Sequence, residues 1–242
     1  MRIRGHRKPL LWLRSLFRGD GYDYHGARVR LPNHLQSAVR WTVLKGGYEE
    51  SERRLVERFL NPALPVVELG GSLGVLSSYV AKRLGDDVLF IVLEANPDIV
   101  DLCRLNATAD GTRRNVRVRN AALAYDAETV SFHASRNVHE SSLASHDKPG
   151  NVTVPATTLY ALLRDEGIDG PYTLVCDIEG TEWDLHLRDG EALSRCAMAV
   201  IELHPNVFER EGWQVQAFLD RMAGYGLGLI AREVNVYAFG RA

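Results

Sequence analysis

Carboxylates crowd one stretch of the chain, Asp177-Ile-Glu-Gly-Thr-Glu182, directly after the apolar run Tyr172-Thr-Leu-Val-Cys176. Three acids in six residues at the end of a buried strand are costly unless they are paired or face a polar cleft. Such a cleft suits proton abstraction by a carboxylate, or the holding of a cation. A second apolar run, residues 197–203, delivers Glu202 and His204 to the same sheet edge. Histidine titrates near neutral pH and suits proton transfer. Asp177 is therefore the first candidate for a general base and His204 the second. Asp177, Glu179 and His204 also make a set of oxygen and imidazole donors suited to magnesium or manganese. Their spacing is not diagnostic, so a divalent metal is not the favoured reading. Glu179 and Glu182 read as supporting acids or as the start of the next helix.

The element that must position a ligand beside these residues runs through residues 66–84. Val66-Val-Glu-Leu69, bounded by Pro65, is too short for a helix and reads as a strand buried on both faces. Val75, Leu76, Tyr79, Val80 and Leu84 then recur at helical spacing. Between strand and helix lies Gly70-Gly-Ser-Leu-Gly74, whose glycines permit left-handed turns and close approach of a ligand to the main chain. The N–H groups opening the helix favour a carboxylate or phosphate. Glu68 offers an anion for an ammonium group or hydroxyls, so a ligand carrying both charges suits the turn. A dinucleotide fingerprint needs G-x-G-x-x-G, but Ser72 stands at its second glycine, and the Lys-Ser/Thr of a phosphate loop is missing. What remains, acid-x-Gly-x-x-x-Gly, resembles the first motif of class I S-adenosylmethionine (SAM) dependent methyltransferases.

The α/β alternation continues beyond that unit. Residues 88–93 form a second buried strand ending in Glu94, 26 residues beyond Glu68. A carboxylate there accepts hydrogen bonds from both hydroxyls of a ribose, as in dinucleotide folds. Asn96 is expected to cap the next helix with Pro97 in its first position. Residues 116–119 make a third strand, followed by Asn120-Ala-Ala-Leu. Asn120 sits at the depth of base recognition, or else forms a turn. Residues 129–135 and 152–154 read as a hairpin-like insertion, after which Thr157 or Thr158 caps a helix. A helix over residues 213–222 precedes strands at 227–231 and 234–239, whose link is so short that they must be antiparallel. The strand count is seven.

Five features in order, Glu68-Leu-Gly-Gly-Ser-Leu-Gly74, Glu94-Ala-Asn-Pro, Asn120-Ala-Ala-Leu, Asp177-Ile-Glu-Gly-Thr-Glu182 and Ile201-Glu-Leu-His204, resemble the FkbM family of SAM-dependent methyltransferases. The resemblance covers residues 45–240, and Asp177-Ile-Glu-Gly with Glu182 is its most specific part. It implies an α/β fold with a seven-stranded, mostly parallel sheet, helices on both faces, an antiparallel last strand pair and an N-terminal appendage. It implies an O-methyltransferase acting on a hydroxyl of a sugar, glycolipid or related natural product. It also implies SAM held by Glu68, Gly70, Gly71, Ser72, Gly74, Glu94, Ala95, Asn96, Asn120, Ala121, Ser142 and Asp177. The sequence departs from the family pattern with Glu68 for Asp and Gly71-Ser72 for Ala-Asn. Two other readings stand beside this one. A nucleic-acid methyltransferase would show Asn or Asp with Pro-Pro-aromatic after the fourth strand, and Asp177-Ile-Glu-Gly is not that. A membrane-peripheral binding protein without catalysis would keep the fold.

Composition bounds the rest. The 242 residues, 45% hydrophobic and 25% charged, suit one large α/β domain with an appendage. No apolar run reaches the roughly 20 residues that span a bilayer. Cys103, Cys176 and Cys196 are odd in number and widely spaced, and read as buried thiols in a reducing, cytoplasmic setting. Net charge is only −2, yet residues 1–18 hold six cations and no acid, leaving −8 on the remainder. Within that arm Leu10, Leu11, Trp12, Leu13, Leu16 and Phe17 lie between basic residues, as in helices on anionic membranes. Docking of the helix on the domain, or nucleic-acid contact, would use the same composition. The division expected is an arm and cap segment over residues 1–47 and a methyltransferase domain over 48–242. Tyr22, Tyr24, His25, His34 and Trp41 are available to the cap as pocket residues or as packing.

Overall fold

Apolar runs too short for helices become the centre of one sheet in the computed structural model, which describes residues 7–108, 115–133, 142–143 and 152–241. The chain begins with helix α1 (Arg7–Arg18), hairpin strands β1 (Gly21–Tyr24) and β2 (Ala27–Arg30), and helices α2 (Ser37–Leu44) and α3 (Glu50–Phe59). Next come β3 (Val66–Leu69), α4 (Val75–Arg83), β4 (Phe90–Glu94), α5 (Val100–Ala107) and β5 (Val116–Asn120). An insertion supplies β6 (Ala122–Leu123), β7 (Thr129–His133), β8 (Ser142–Leu143) and β9 (Val152–Thr157). The last part holds α6 (Leu159–Asp165), β10 (Tyr172–Cys176), α7 (Glu182–Arg188), α8 (Gly190–Leu193), β11 (Cys196–Glu202), α9 (Pro205–Glu211), α10 (Val215–Gly224), β12 (Gly228–Glu233) and β13 (Val236–Gly240).

The main sheet has seven strands in the order β12-β13-β11-β10-β3-β4-β5. Pairs from β11 through β5 are parallel, and β13 runs antiparallel to both β11 and β12. This is the α/β architecture expected, with both faces covered. Side chains alternate between the faces. Val66, Val92, Val175 and Val200 pack with Tyr24, Val29, Leu55 and Tyr79 on one side. Val67, Ile91, Leu174 and Ile201 pack with Leu163, Leu185 and Phe218 on the other. The three thiols are free and buried. The insertion forms its own four-stranded sheet, β6-β9-β7-β8, over a small core of Ala122, Phe132 and Val154.

One local expectation changes and two are refined. The helix expected from Pro97 begins at Val100. Asn96 instead closes a turn, its Oδ1 accepting from the Asp98 N–H at 3.0 Å and its carbonyl from Val100 N–H at 3.1 Å. The helix expected at residues 213–222 is preceded by α9, which starts at Pro205 and stops at Gly212 in a left-handed conformation. Thr158, not Thr157, caps α6 by accepting from Ala161 N–H.

The described part of the N-terminal segment, from residue 7 to 47, packs on the rest of the domain through specific bonds as well as apolar contact. Asn106 of α5, fully buried, accepts from Arg30 N–H at 2.7 Å and donates to the carbonyls of Arg30 (3.0 Å) and Leu73 (2.7 Å). One amide thus ties β2 to the glycine loop. A buried donor or acceptor left unpaired costs about 1–3 kcal/mol. Asn106→Ala should therefore lower the unfolding free energy by roughly 2–4 kcal/mol, read from urea denaturation; a change below about 1 kcal/mol would show that the clamp carries little.

Candidate active site

The glycine loop and the acidic strand end are forced together. Gly70 has φ +89°, and a Cβ there would lie 1.7 Å from the Asp177 carbonyl oxygen, so only glycine lets the two segments touch. Asp177 N–H donates to the Leu69 carbonyl at 2.9 Å, and Gly70 N–H to that of Leu93 at 2.9 Å. The carboxyl ends of β3, β4 and β10 thereby meet at one rim. Glu94 is fixed there by two backbone amides, Ser72 N–H to Oε2 and Asn96 N–H to Oε1, each at 2.6 Å. Tyr48 adds a hydroxyl contact to Ser72 Oγ at 3.2 Å. The Tyr24 hydroxyl, from the hairpin, donates to the Tyr48 carbonyl.

Over this rim opens a cavity of ≈ 530 Å³, the size of a small-molecule site. Gly70, Ser72, Glu94, Ala95, Ala121, Asp177 and His204 line it, all singled out from the sequence. Five other expected cofactor residues do not. Glu68 is buried at 2% exposure below the loop, with Oε2 lacking a hydrogen-bond partner among the described residues. Gly71 and Gly74 serve packing, since a Cβ would meet Val92 Cγ1 at 2.3 Å and the Cys103 carbonyl oxygen at 2.6 Å respectively. Asn96 is buried in its turn. Asn120 donates to the carbonyls of Glu94 (2.9 Å) and Ala95 (3.0 Å), so it shapes the turn that presents them. The Ser142 side chain lies outside the described residues.

The acids beside β10 form a connected group. His204 Nδ1 lies 3.0 Å from Glu182 Oε1, and its Nε2 lies 3.3 Å from Glu179 Oε2 and 3.5 Å from Asp177 Oδ1. Burial by itself would lower the imidazole pKa, but the hydrogen bond and charge of Glu182, with Asp177 and Glu179, raise it to about 10. The ring is an imidazolium at neutral pH. Asp177 is pushed well above the usual carboxylate range by burial and by Glu202, while His204 pulls it down. Burial also raises Glu52 to about 8 and Glu94 to about 7, the latter against the pull of its amide bonds. Asp177, Glu179 and His204 each offer a ligand atom within 4.8 Å of one another, so a divalent cation would find donors there.

Several cavity residues carried no motif. Tyr48, Glu49 and Glu52 arrive from the start of α3, Phe132 from the insertion, and Val234 from the β12–β13 turn. Glu49 is raised by burial and by Glu52, Asp177 and Glu68, while the Leu76 backbone amide pulls it down. Glu49, Ser72, Glu179 and Val234 have φ of 47°, 49°, 53° and 54°, four of the six non-glycine residues described with left-handed backbone. Such conformations cost about 1–3 kcal/mol each and cluster at functional sites; for β-branched Val234 this is a true outlier. The acidic Tyr48-Glu-Glu-Ser-Glu run was the one available signal in the sequence, and it reads equally as a helix start.

The strand order, the glycine loop after β3 and the acidic end of β10 define the class I methyltransferase architecture. The model of the methyltransferase FkbM domain matches residues 70–227. The chain belongs to the FkbM methyltransferase family. Among solved structures, magnesium protoporphyrin IX methyltransferase from Synechocystis PCC 6803 with bound SAH is 13% identical, with 85% of this chain and 81% of that chain covered and a TM-score of 0.43. A putative rRNA methylase from Clostridium thermocellum is 9% identical (78% and 92% covered, TM-score 0.49). Aeropyrum pernix fibrillarin with natively bound S-adenosyl-L-methionine is 10% identical (77% and 72%, TM-score 0.45). No curated protein matches this chain in sequence.

These charges tie stability to pH. Glu52, Glu68 (about 8) and Glu94 (about 7) hold protons in the folded state that the unfolded chain has released, so their stabilising effect is lost as pH rises through 7 to 8. His204 has the same sign: its contribution is full below 6.5 and fades as pH rises through about 10. His186, lowered to about 4 by burial, opposes this only below 6.5. The urea midpoint of the ligand-free protein should fall between pH 6.5 and 8, and a rising midpoint would contradict these protonation states.

Proposed function

We propose that the chain transfers the methyl group of SAM to a hydroxyl of a sugar, glycolipid or related natural product. One observation carries the reading. The described cavity lining holds seven acidic residues and one histidine, but no lysine or arginine. A site of this kind repels pyrophosphate and nucleic-acid backbones and favours a ligand with positive charge. SAM carries a sulfonium and an ammonium group, and family membership points to the same ligand. The acid excess likewise weighs against a nucleic-acid acceptor.

In this reading Glu94 accepts the ribose hydroxyls with the lone pairs its amide bonds leave open. Ala95, Ile99, Leu123 and Phe132 offer an apolar slot for the adenine, and Gly70, Ser72 and Glu49 face the methionyl end. SAM supplies an activated methyl group. The chain's task is to place an alcohol oxygen behind that methyl and take its proton; positioning alone supplies much of the rate. Asp177 is the base. Its side chain is 31% exposed, and burial with Glu202 raises its proton affinity above that of an ordinary carboxylate. His204 is a positioning residue, because an imidazolium held on Nδ1 by Glu182 cannot accept a proton. Its charge opposes the upward push of burial and Glu202 on Asp177.

Glu94→Gln should weaken SAM binding by roughly 1.5–3 kcal/mol in calorimetry, and wild-type affinity should rise with pH through about 7 as Glu94 ionises. Unchanged affinity would place the ribose elsewhere. No heat with SAM would remove the enzyme reading and leave the binding protein without catalysis. A mass-read screen of lipid-linked sugars, nucleotide sugars and glycosides identifies the acceptor. On that acceptor, Asp177→Asn should lower kcat by roughly 10²–10⁴, while His204→Gln should shift the acid limb of the pH profile to higher pH. An unshifted limb would sever His204 from Asp177.

A further inference from the structure

Helix α1 packs the wrong way for a helix that serves only its own domain. At 100° per residue, Leu10, Leu13 and Phe17 fall on one face, and Arg14 and Leu11 lie roughly 70° and 130° round from its middle. The domain takes the second face. Leu11 is 1% exposed, and the Arg14 guanidinium sits 3.8 Å from the centre of the Tyr22 ring and donates to the Gly21 carbonyl. The apolar face is left outward, with Leu10 at 51%, Leu13 at 49% and Phe17 at 82% exposure. Exposed apolar area of this kind, on a helix that could have buried it by a rotation, marks an interaction surface.

We propose that this face lies in the interface of an anionic lipid bilayer. Charge decides the occupant: residues 1–18 carry six cations and no acid, which complements a surface of anionic headgroups. The exposed Arg18 flanks Phe17 at the helix end. No helix among the described residues is long and apolar enough to cross a membrane, so the contact is peripheral. The helix also has a route to the site. It packs on α2, and three residues after Leu44 the chain reaches Gly47, then Tyr48, at the cavity wall.

The test is flotation of the full chain with phosphatidylcholine vesicles, with and without about one third phosphatidylglycerol. Binding should require the anionic lipid and weaken as salt rises above about 0.1 M. A Leu10→Ser, Leu13→Ser, Phe17→Ser variant should keep the parent's melting temperature and SAM affinity yet bind these vesicles about tenfold or more weakly, given the apolar area removed. Equal binding by parent and variant overturns the proposal, as does failure of the parent to float. Sedimentation that finds a parent dimer, dissolved by the triple substitution, together with no vesicle binding, would assign the face to a second copy instead.

Discussion

The site rests on a crowd of carboxyl groups around one cavity, against which the lining sets a single histidine and no lysine or arginine. Glu49, Glu52, Glu94 and Asp177 are each shifted toward the protonated form, chiefly by burial. A domain optimised for stability alone would have paired these acids or removed them, because unpaired buried carboxylates are expensive. What relieves the cost is a cation. His204 supplies one inside the group, and a sulfonium ligand would supply another. Binding and stability are then two readings of the same electrostatic debt.

Rigidity around those acids comes from small polar bonds that cross between distant segments. Tyr24 holds the Tyr48 carbonyl, the Tyr48 hydroxyl meets Ser72, and the Ser72 amide holds Glu94. Asn106 bonds β2 and Leu73 at once. Each link couples the N-terminal hairpin to the loop after β3, so the hairpin is part of what positions the site. Preorganisation of this kind fixes donors and acceptors before a ligand arrives. The left-handed backbone of Glu49, Ser72, Glu179 and Val234 shows where the surrounding packing imposes geometry that local sequence would not choose.

The N-terminal helix obeys a different logic. Among its described side chains, Leu11 is buried in the domain and Arg14 stacks on Tyr22, while Leu10, Leu13 and Phe17 stay outside. Its amphipathic pattern is plain in the sequence, but which face docks is a tertiary matter.

Periodicity and punctuation were enough to read the seven strands, the glycine turn, the insertion and Glu94 at the tip of β4. Those signals are local, because a buried strand and a helix start each leave their marks within a few residues. The acids of β10 and β11 were legible for the same reason, as charge is conspicuous after an apolar run. The sequence could not say that Gly71, Gly74 and Asn120 serve packing and turn geometry, since a glycine needed for a ligand and one needed for a neighbouring side chain look alike. Nor could it bring Tyr48, Glu49 and Glu52 to the cavity, or set the charge of His204 against three carboxylates. Those facts depend on distances between segments far apart in the chain, and only the folded sheet, by closing Gly70 onto Asp177, decides them.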